Sequence, residues 1–199
     1  MLEESDLIEN CKRGNRAAQQ ELYYRYVNKM AAVCYRYIGN REDTVDIVQE
    51  GFITVFADIH KYKATGTLEG WIKRIMINKS INFFKKNRKY NYSWKEVADV
   101  EDKKEEEAEI SDHSSEFDIV KYAGITQEEL RLALETLDLQ FRLVFSLFYL
   151  ENYTHKEIAE ALAIDEQTSR TRLLRAKKKL QVSLYQLSLD KLKLSKQSN

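Results

Sequence analysis

The chain has no proline in 199 residues and only six glycines. Hairpin turns draw on these residue types, and a chain starved of both is poor material for a sheet. An all-α fold is therefore expected. The length allows one domain or two small ones, and the apolar fraction is ordinary, so a folded core is expected. No apolar run reaches the length of a bilayer span, and the first ten residues, MLEESDLIEN, are acidic where a signal peptide would be basic. These features predict a cytoplasmic protein without membrane insertion. Cys11 and Cys34 are too few and too isolated for a disulfide framework or a zinc site, and read as small buried residues.

The formal net charge is zero, which argues against a nucleic-acid partner only until it is resolved along the chain. Residues 1–92 carry 16 basic and 11 acidic side chains, 93–125 carry 4 and 11, and 126–199 carry 12 and 10. Two mildly basic parts flank an acidic one, and local fields decide what each part attracts. The acidic segment is highly charged and poor in large apolar residues. It is expected to be a flexible linker, because it buries too little surface to offset the entropy of ordering.

Helical periodicity runs through residues 5–88. Leu22, Tyr26, Met30, Val33 and Tyr37 recur at spacings of three and four, and Gly39-Asn40 ends that helix. In the next helix Val45, Val48, Phe52, Val55 and Ile59 form an apolar stripe, with Asp43, Asp46, Gln49 and Glu50 opposite. After a loop that holds Tyr62, Lys63, Thr65 and Thr67, a further helix is predicted to turn Trp71, Ile75 and Ile81 inward. Its exposed side then carries Lys73, Arg74, Lys79, Lys85 and Lys86.

Periodicity returns at Thr126, where Thr126 and Glu129 make a capping box, and the apolar run from Phe141 to Leu150 is the expected core of the second half. Residues 153–179 then read as helix, tight turn, helix. Thr154 and Glu157 form a second capping box, and Ile158, Ala159 and Leu162 give a buried face. Ala163, Ile164 and Asp165 make the turn. Asp165 can cap a helix with Leu173, Ala176 and Leu180 inward and Arg170, Thr171, Leu174, Arg175 and Lys178 toward the other side. Such a helix fits a major groove, where arginine reads guanine edges and long cations hold phosphates. The chain is predicted to fray from Asp190 onward.

Two motifs carry a family resemblance. One is DIVQEGF at 46–52, continued by GWIKRIMINKSINFFKKNRK at 70–89. The other is EIAEALAIDEQTSRTRLLRAKKKL at 157–180. Together, in this order and across an acidic linker, they resemble the extracytoplasmic-function (ECF) sigma factors of bacterial RNA polymerase, over about Glu21 to Lys89 and Leu132 to Leu184. The resemblance implies two small helical domains, sigma region 2 at 1–92 and sigma region 4 at 126–190, the latter with the helix-turn-helix, joined by the linker at 93–125. It implies a non-enzymatic factor that needs no cofactor or metal, binds core RNA polymerase and directs it to promoter DNA.

By the same resemblance Asp43, Asp46, Gln49, Glu50 and Phe52 dock on the polymerase, although Phe52 reads mainly as core. Tyr62, Lys63, Thr65, Thr67, Trp71, Lys73, Asn78, Lys79, Asn82 and Phe83 recognise and melt the −10 element. Arg170, Thr171 and Leu174 reach base edges of the −35 element, with Arg172, Arg175 and Lys178 nearer the phosphates. The resemblance also points to a membrane-bound anti-sigma factor as inhibitor. Two departures stand out. Ala163 occupies a turn position where the family often has glycine, and Gln167 and Ser169 replace the more usual glycine and valine.

Two other classes compete. A stand-alone helix-turn-helix regulator accounts for the second half but not for DIVQEGF or the helix from Trp71 through Asn78. An enzyme acting on nucleic acid would need a phosphate loop or a metal scaffold, and His60, His113 and His155 are scattered.

Overall fold

The computed structural model describes residues 3–88 and 126–197, and among these there is no strand. The chain divides into two compact units, Met1–Asn87 and Arg88–Asn199. The expected acidic linker at 93–125 lies outside the described residues.

Four helices build the first unit: α1 (Glu4–Lys12), α2 (Arg16–Ile38), α3 (Arg41–Asp58, running into a 3₁₀ turn at Ile59–Lys61) and α4 (Leu68–Arg88). Without proline, the breaks are made by glycine and asparagine. Gly39 takes a left-handed conformation with φ 85°, and its N–H closes on the Tyr35 carbonyl at 2.8 Å. Asn15 caps α2 by accepting from the Ala18 N–H at 3.1 Å, and Asn40 caps α3 by accepting from the Asp43 N–H at 2.9 Å. The core gathers Leu7 and Cys11 of α1, Leu22, Tyr26, Met30 and Cys34 of α2, Ile47, Val48, Phe52 and Val55 of α3, and Leu68, Ile72 and Met76 of α4. Both cysteines are buried as expected.

Three inward faces differ from the periodicity reading. Val33 is only half-buried, and Cys34 takes the inward position beside it. Val45 is 55 % exposed, and Thr44 lies inside instead, its hydroxyl satisfied by the Asn40 carbonyl at 2.5 Å. In α4 the inward residues are Leu68, Ile72, Met76, Ile77, Ile81 and Phe84, while Trp71 and Ile75 sit at the core's edge. The stripe is thus turned by one residue from the expected one at its N-terminal end. The reason lies at Gly51. A Cβ built there would meet the Met76 Sδ at 2.2 Å, so α4 lays Met76 directly over the bare backbone of α3.

The second unit contains α5 (Gln127–Glu135), α6 (Leu139–Phe145, continued by a π-helical turn at Ser146–Leu150), α7 (His155–Leu162) and α8 (Glu166–Gln197). Both predicted capping boxes are formed, at Thr126 with Glu129 and at Thr154 with Glu157. The apolar run from Phe141 is core through Leu147, after which Phe148, Tyr149 and Leu150 become half-exposed as the π turn carries them off the packed face. Helix α8 continues to Gln197, past the predicted fraying point at Asp190.

Candidate nucleic-acid interface

The second unit holds a helix-turn-helix whose turn is determined by two residues. Ala163 adopts φ 54°, ψ 52°, its N–H bonded to the Ala159 carbonyl. Asp165 then caps α8, accepting from the Thr168 N–H at 2.6 Å and from the Thr168 hydroxyl at 2.9 Å. These bonds hold the Asp165 carboxyl below the usual aspartate range. The left-handed alanine carries strain of roughly 1–2 kcal/mol that glycine would not. Ala163→Gly is therefore expected to stabilise the second unit by about 0.5–1 kcal/mol, part of the gain being returned as extra freedom of the unfolded chain. Urea denaturation of the full chain followed by circular dichroism measures this, and a lowered midpoint would contradict it.

On α8, Leu173, Ala176 and Leu180 face inward as predicted. Outward stand Arg170, Leu174 and Lys178, spaced by four, with Leu174 47 % exposed. Thr171 and Arg175 flank that row and are half-buried. Arg172 differs from its expected place: only 6 % of it is exposed, because it follows Ser169 around to the packed side, and it does not stand with the outward cations. The lysine run 177–179 also divides. Lys177 lies over the Tyr149 ring at 5.4 Å, and Lys179 pairs with Asp138 at 2.8 Å above the Phe141 ring. Lys178, between them, is exposed on the outward side.

Ser169 is fully buried, and its hydroxyl meets the His155 Nδ1 at 2.9 Å, tying the start of α7 to α8. The imidazole stacks on Phe148 at 4.8 Å. Burial first, and the neighbouring Arg170 cation second, lower the His155 pKa and favour the neutral ring. The pattern of the helix-turn-helix alone gave no sign of this link, which joins residues fourteen apart.

In the first unit the outer face of α4 presents Arg74, Asn78, Asn82 and Lys86 in a row spaced by four, all exposed. Arg74 belongs with the expected Asn78 and Asn82 although the motif did not single it out. Lys73 and Lys79 are half-buried on its flanks, and Lys79 reaches Glu50 of α3 at 3.9 Å. Phe83 and Trp71 are half-buried against the core.

The loop before α4 leaves Lys63, Thr65 and Thr67 exposed. On α3, Asp46, Gln49 and Glu50 form an outward row, while Phe52 is core at 2 % exposure, packed edge-on against Tyr23 at 4.9 Å. Asp43 is part of the N-terminal cap rather than the row, since its carboxylate accepts from the Asn40 amide at 2.5 Å. Ile53, 68 % exposed, extends the outward face of α3 and was not expected from its sequence.

A helix-turn-helix with an outward arginine and lysine row in the second unit, and an amide- and cation-bearing helix beside an exposed loop in the first, define a DNA-binding transcription protein. Among the described residues no group of three histidine, cysteine or acidic side chains is placed to hold a metal ion. The Sigma-70 region 2 family matches residues 22–90, and the Sigma-70 region 4 family matches 127–180. The chain is similar over most of its length to ECF RNA polymerase sigma factors. It is 28 % identical to the factor SigW of Bacillus subtilis, covering 90 % of this chain and 96 % of that one. It is 25 % identical to the sigma-E factor of Haemophilus influenzae, covering 90 % and 94 %.

Solved structures with partial likeness include CnrH in complex with the cytosolic domain of CnrY (20 % identity, 89 % of this chain and 94 % of that one, TM-score 0.43). Another is RpoE in complex with the anti-sigma factor NepR from Bartonella quintana (19 %, 83 % and 96 %, TM-score 0.44). The chain belongs to the ECF sigma factors of the sigma-70 family. It is a transcription initiation factor that directs RNA polymerase to promoters, and not an enzyme. Among the described residues no helix is long and apolar enough to cross a membrane.

Proposed function

We propose that the two units divide the work of promoter recognition. Residues 1–92 act as region 2, docking on core polymerase through Asp46, Gln49 and Glu50 and engaging the −10 element through the 62–67 loop and the outer face of α4. Residues 126–190 act as region 4, reading the −35 element with α8. The observation that most supports this is the sorting of α8, in which Arg170, Leu174 and Lys178 share one outward row while Leu173, Ala176 and Leu180 anchor the helix from behind. A groove-reading helix needs one face rigidly held and the opposite face free. Arg172 is left out of the contact set, and Arg74 joins it.

The acidic row on α3 suits a basic helix of the polymerase, because opposite potentials align two surfaces before they touch. Promoter work also places the protein in the cytoplasm. With both DNA-facing rows exposed, an anti-sigma factor that covers them is the proposed means of silencing.

The reading of α8 is tested by two substitutions assayed as holoenzyme on promoters with varied −35 elements. Arg170→Ala is expected to lower transcription selectively where the −35 element is intact, losing about 1–3 kcal/mol of discrimination if the guanidinium makes a bidentate base contact. Lys178→Ala is expected to weaken all promoters evenly and to reduce the salt dependence, as loss of one phosphate contact does. If the two variants respond alike across the panel, the division between base reader and phosphate anchor is wrong.

A further inference from the structure

The loop between α3 and α4 is closed upon itself by Tyr62. Its hydroxyl donates to the Gly66 carbonyl at 2.5 Å, bridging the span that presents Lys63 and Thr65. Its N–H is held by the Ile59 carbonyl at 3.2 Å, so the residue is anchored at its start as well. The ring lies 5.6 Å from that of Trp71 at an interplanar angle of 49°, and both aromatics pack against the core of the first unit. At the far end of the loop, Thr67 caps α4. Its Oγ1 accepts from the Gly70 N–H at 3.1 Å and its carbonyl from the Trp71 N–H at 3.1 Å. Between these anchors Ala64 is held at φ 54°, a conformation that an alanine in a loose loop would leave.

An unpaired base stacks best on an aromatic face that is open to solvent. The Tyr62 ring is instead half-buried on the core beside Trp71, and its polar tip is spent on the loop's own backbone. We propose that Tyr62 is a positioning residue: its hydroxyl on Gly66 and its ring on Trp71 hold the loop in the shape that presents Lys63, Thr65 and Thr67 to the separated promoter strand. This rests on the −10 reading of the loop and alters one of its members, moving Tyr62 from the contact set to the support beneath it. A loop held in shape before binding loses less entropy on capturing a strand than one ordered at that moment.

The test uses the full chain with core RNA polymerase, on a promoter that the wild-type holoenzyme selects from a random-sequence library. Open complexes are counted by permanganate reactivity of unpaired thymines, and amide exchange at Gly70 and Trp71 is followed in the DNA-free protein. Tyr62→Phe keeps the ring and removes the hydroxyl. It is expected to reduce open complexes about fivefold, the worth of one net hydrogen bond, and to speed exchange at both amides. Tyr62→Ala is expected to do more of both.

If Tyr62→Phe melts the promoter as well as wild type, the clamp is overturned, whether or not Tyr62→Ala is impaired. A melting defect in Tyr62→Phe with unchanged exchange also overturns it, since the hydroxyl then acts on DNA directly. Failure of the −10 reading has a separate signature. The triple change of Lys63, Thr65 and Thr67 to alanine would then melt the promoter normally in a fully folded protein, and the proposal would fall with it.

Discussion

Reversing two charges on the outer row of α3, in the double variant Asp46→Lys and Glu50→Lys, should reduce affinity for core RNA polymerase by roughly 100-fold while leaving the first unit folded. Both carboxylates are exposed, and among the described residues Glu50 pairs with Lys79 at 3.9 Å. A contact at that distance between partly solvated groups is worth under about 1 kcal/mol, so its loss does not threaten the fold. At an interface with a basic helix the arithmetic differs, because like charges placed opposite one another cost several kcal/mol. Titration of labelled protein with core polymerase, with circular dichroism as the control for folding, measures both halves of the expectation. Wild-type affinity in a helical, monomeric variant would remove α3 as the docking face. Ile53, exposed on the same face, offers an apolar complement to the charged row, and Ile53→Ala should weaken binding by a smaller factor.

The second large effect is expected at Gly51→Val, which should destabilise the first unit by about 1–3 kcal/mol through overpacking. A Cβ at this position would stand 2.2 Å from the Met76 Sδ and 2.8 Å from its Cε, both in side chain that is fully buried. Methionine is flexible, but a thioether enclosed on all sides has little room to retreat. The specific signature is rescue. Met76→Ala alone should destabilise by leaving a cavity, yet Gly51→Val together with Met76→Ala should recover part of the loss, because the valine fills the space vacated. Urea denaturation of the four proteins closes a double-mutant cycle with a favourable coupling. Additive losses would show that α3 and α4 do not meet at this pair.

The position of Gly51 within DIVQEGF shows what motif reading can miss. The run places acidic and amide side chains on one face of a helix, and those residues are exposed as expected. The glycine between them serves the opposite side, where it admits Met76 and so determines how α4 lies on α3. Its effect on α4 is visible in the inward turn of Ile72 in place of Trp71.

Local chemistry made much of the chain legible. Absent proline and scarce glycine predicted helices. The capping boxes at Thr126 and Thr154, the cap at Asp165 and the stop at Gly39 all depend on residues within a turn or so of each other, and all are formed where expected. Heptad-like spacing likewise identified the inward face of α8 at Leu173, Ala176 and Leu180. Each of these depends on contacts along one stretch of chain, which the order of residues states directly.

Only the tertiary structure decided which borderline residues turn inward. Val45 and Thr44, Trp71 and Ile72, and Arg172 and Arg175 are neighbours one to three positions apart, so a rotation of a few tens of degrees about the helix axis exchanges their environments. That rotation is set by the partner helix: by Met76 resting on Gly51, and by His155 holding Ser169. The sequence by itself determined that this chain forms helices, where most of them begin and end, and which family it resembles. The phase of each helix about its own axis, and therefore which cations and carboxylates face outward, was settled by packing between residues distant in the chain.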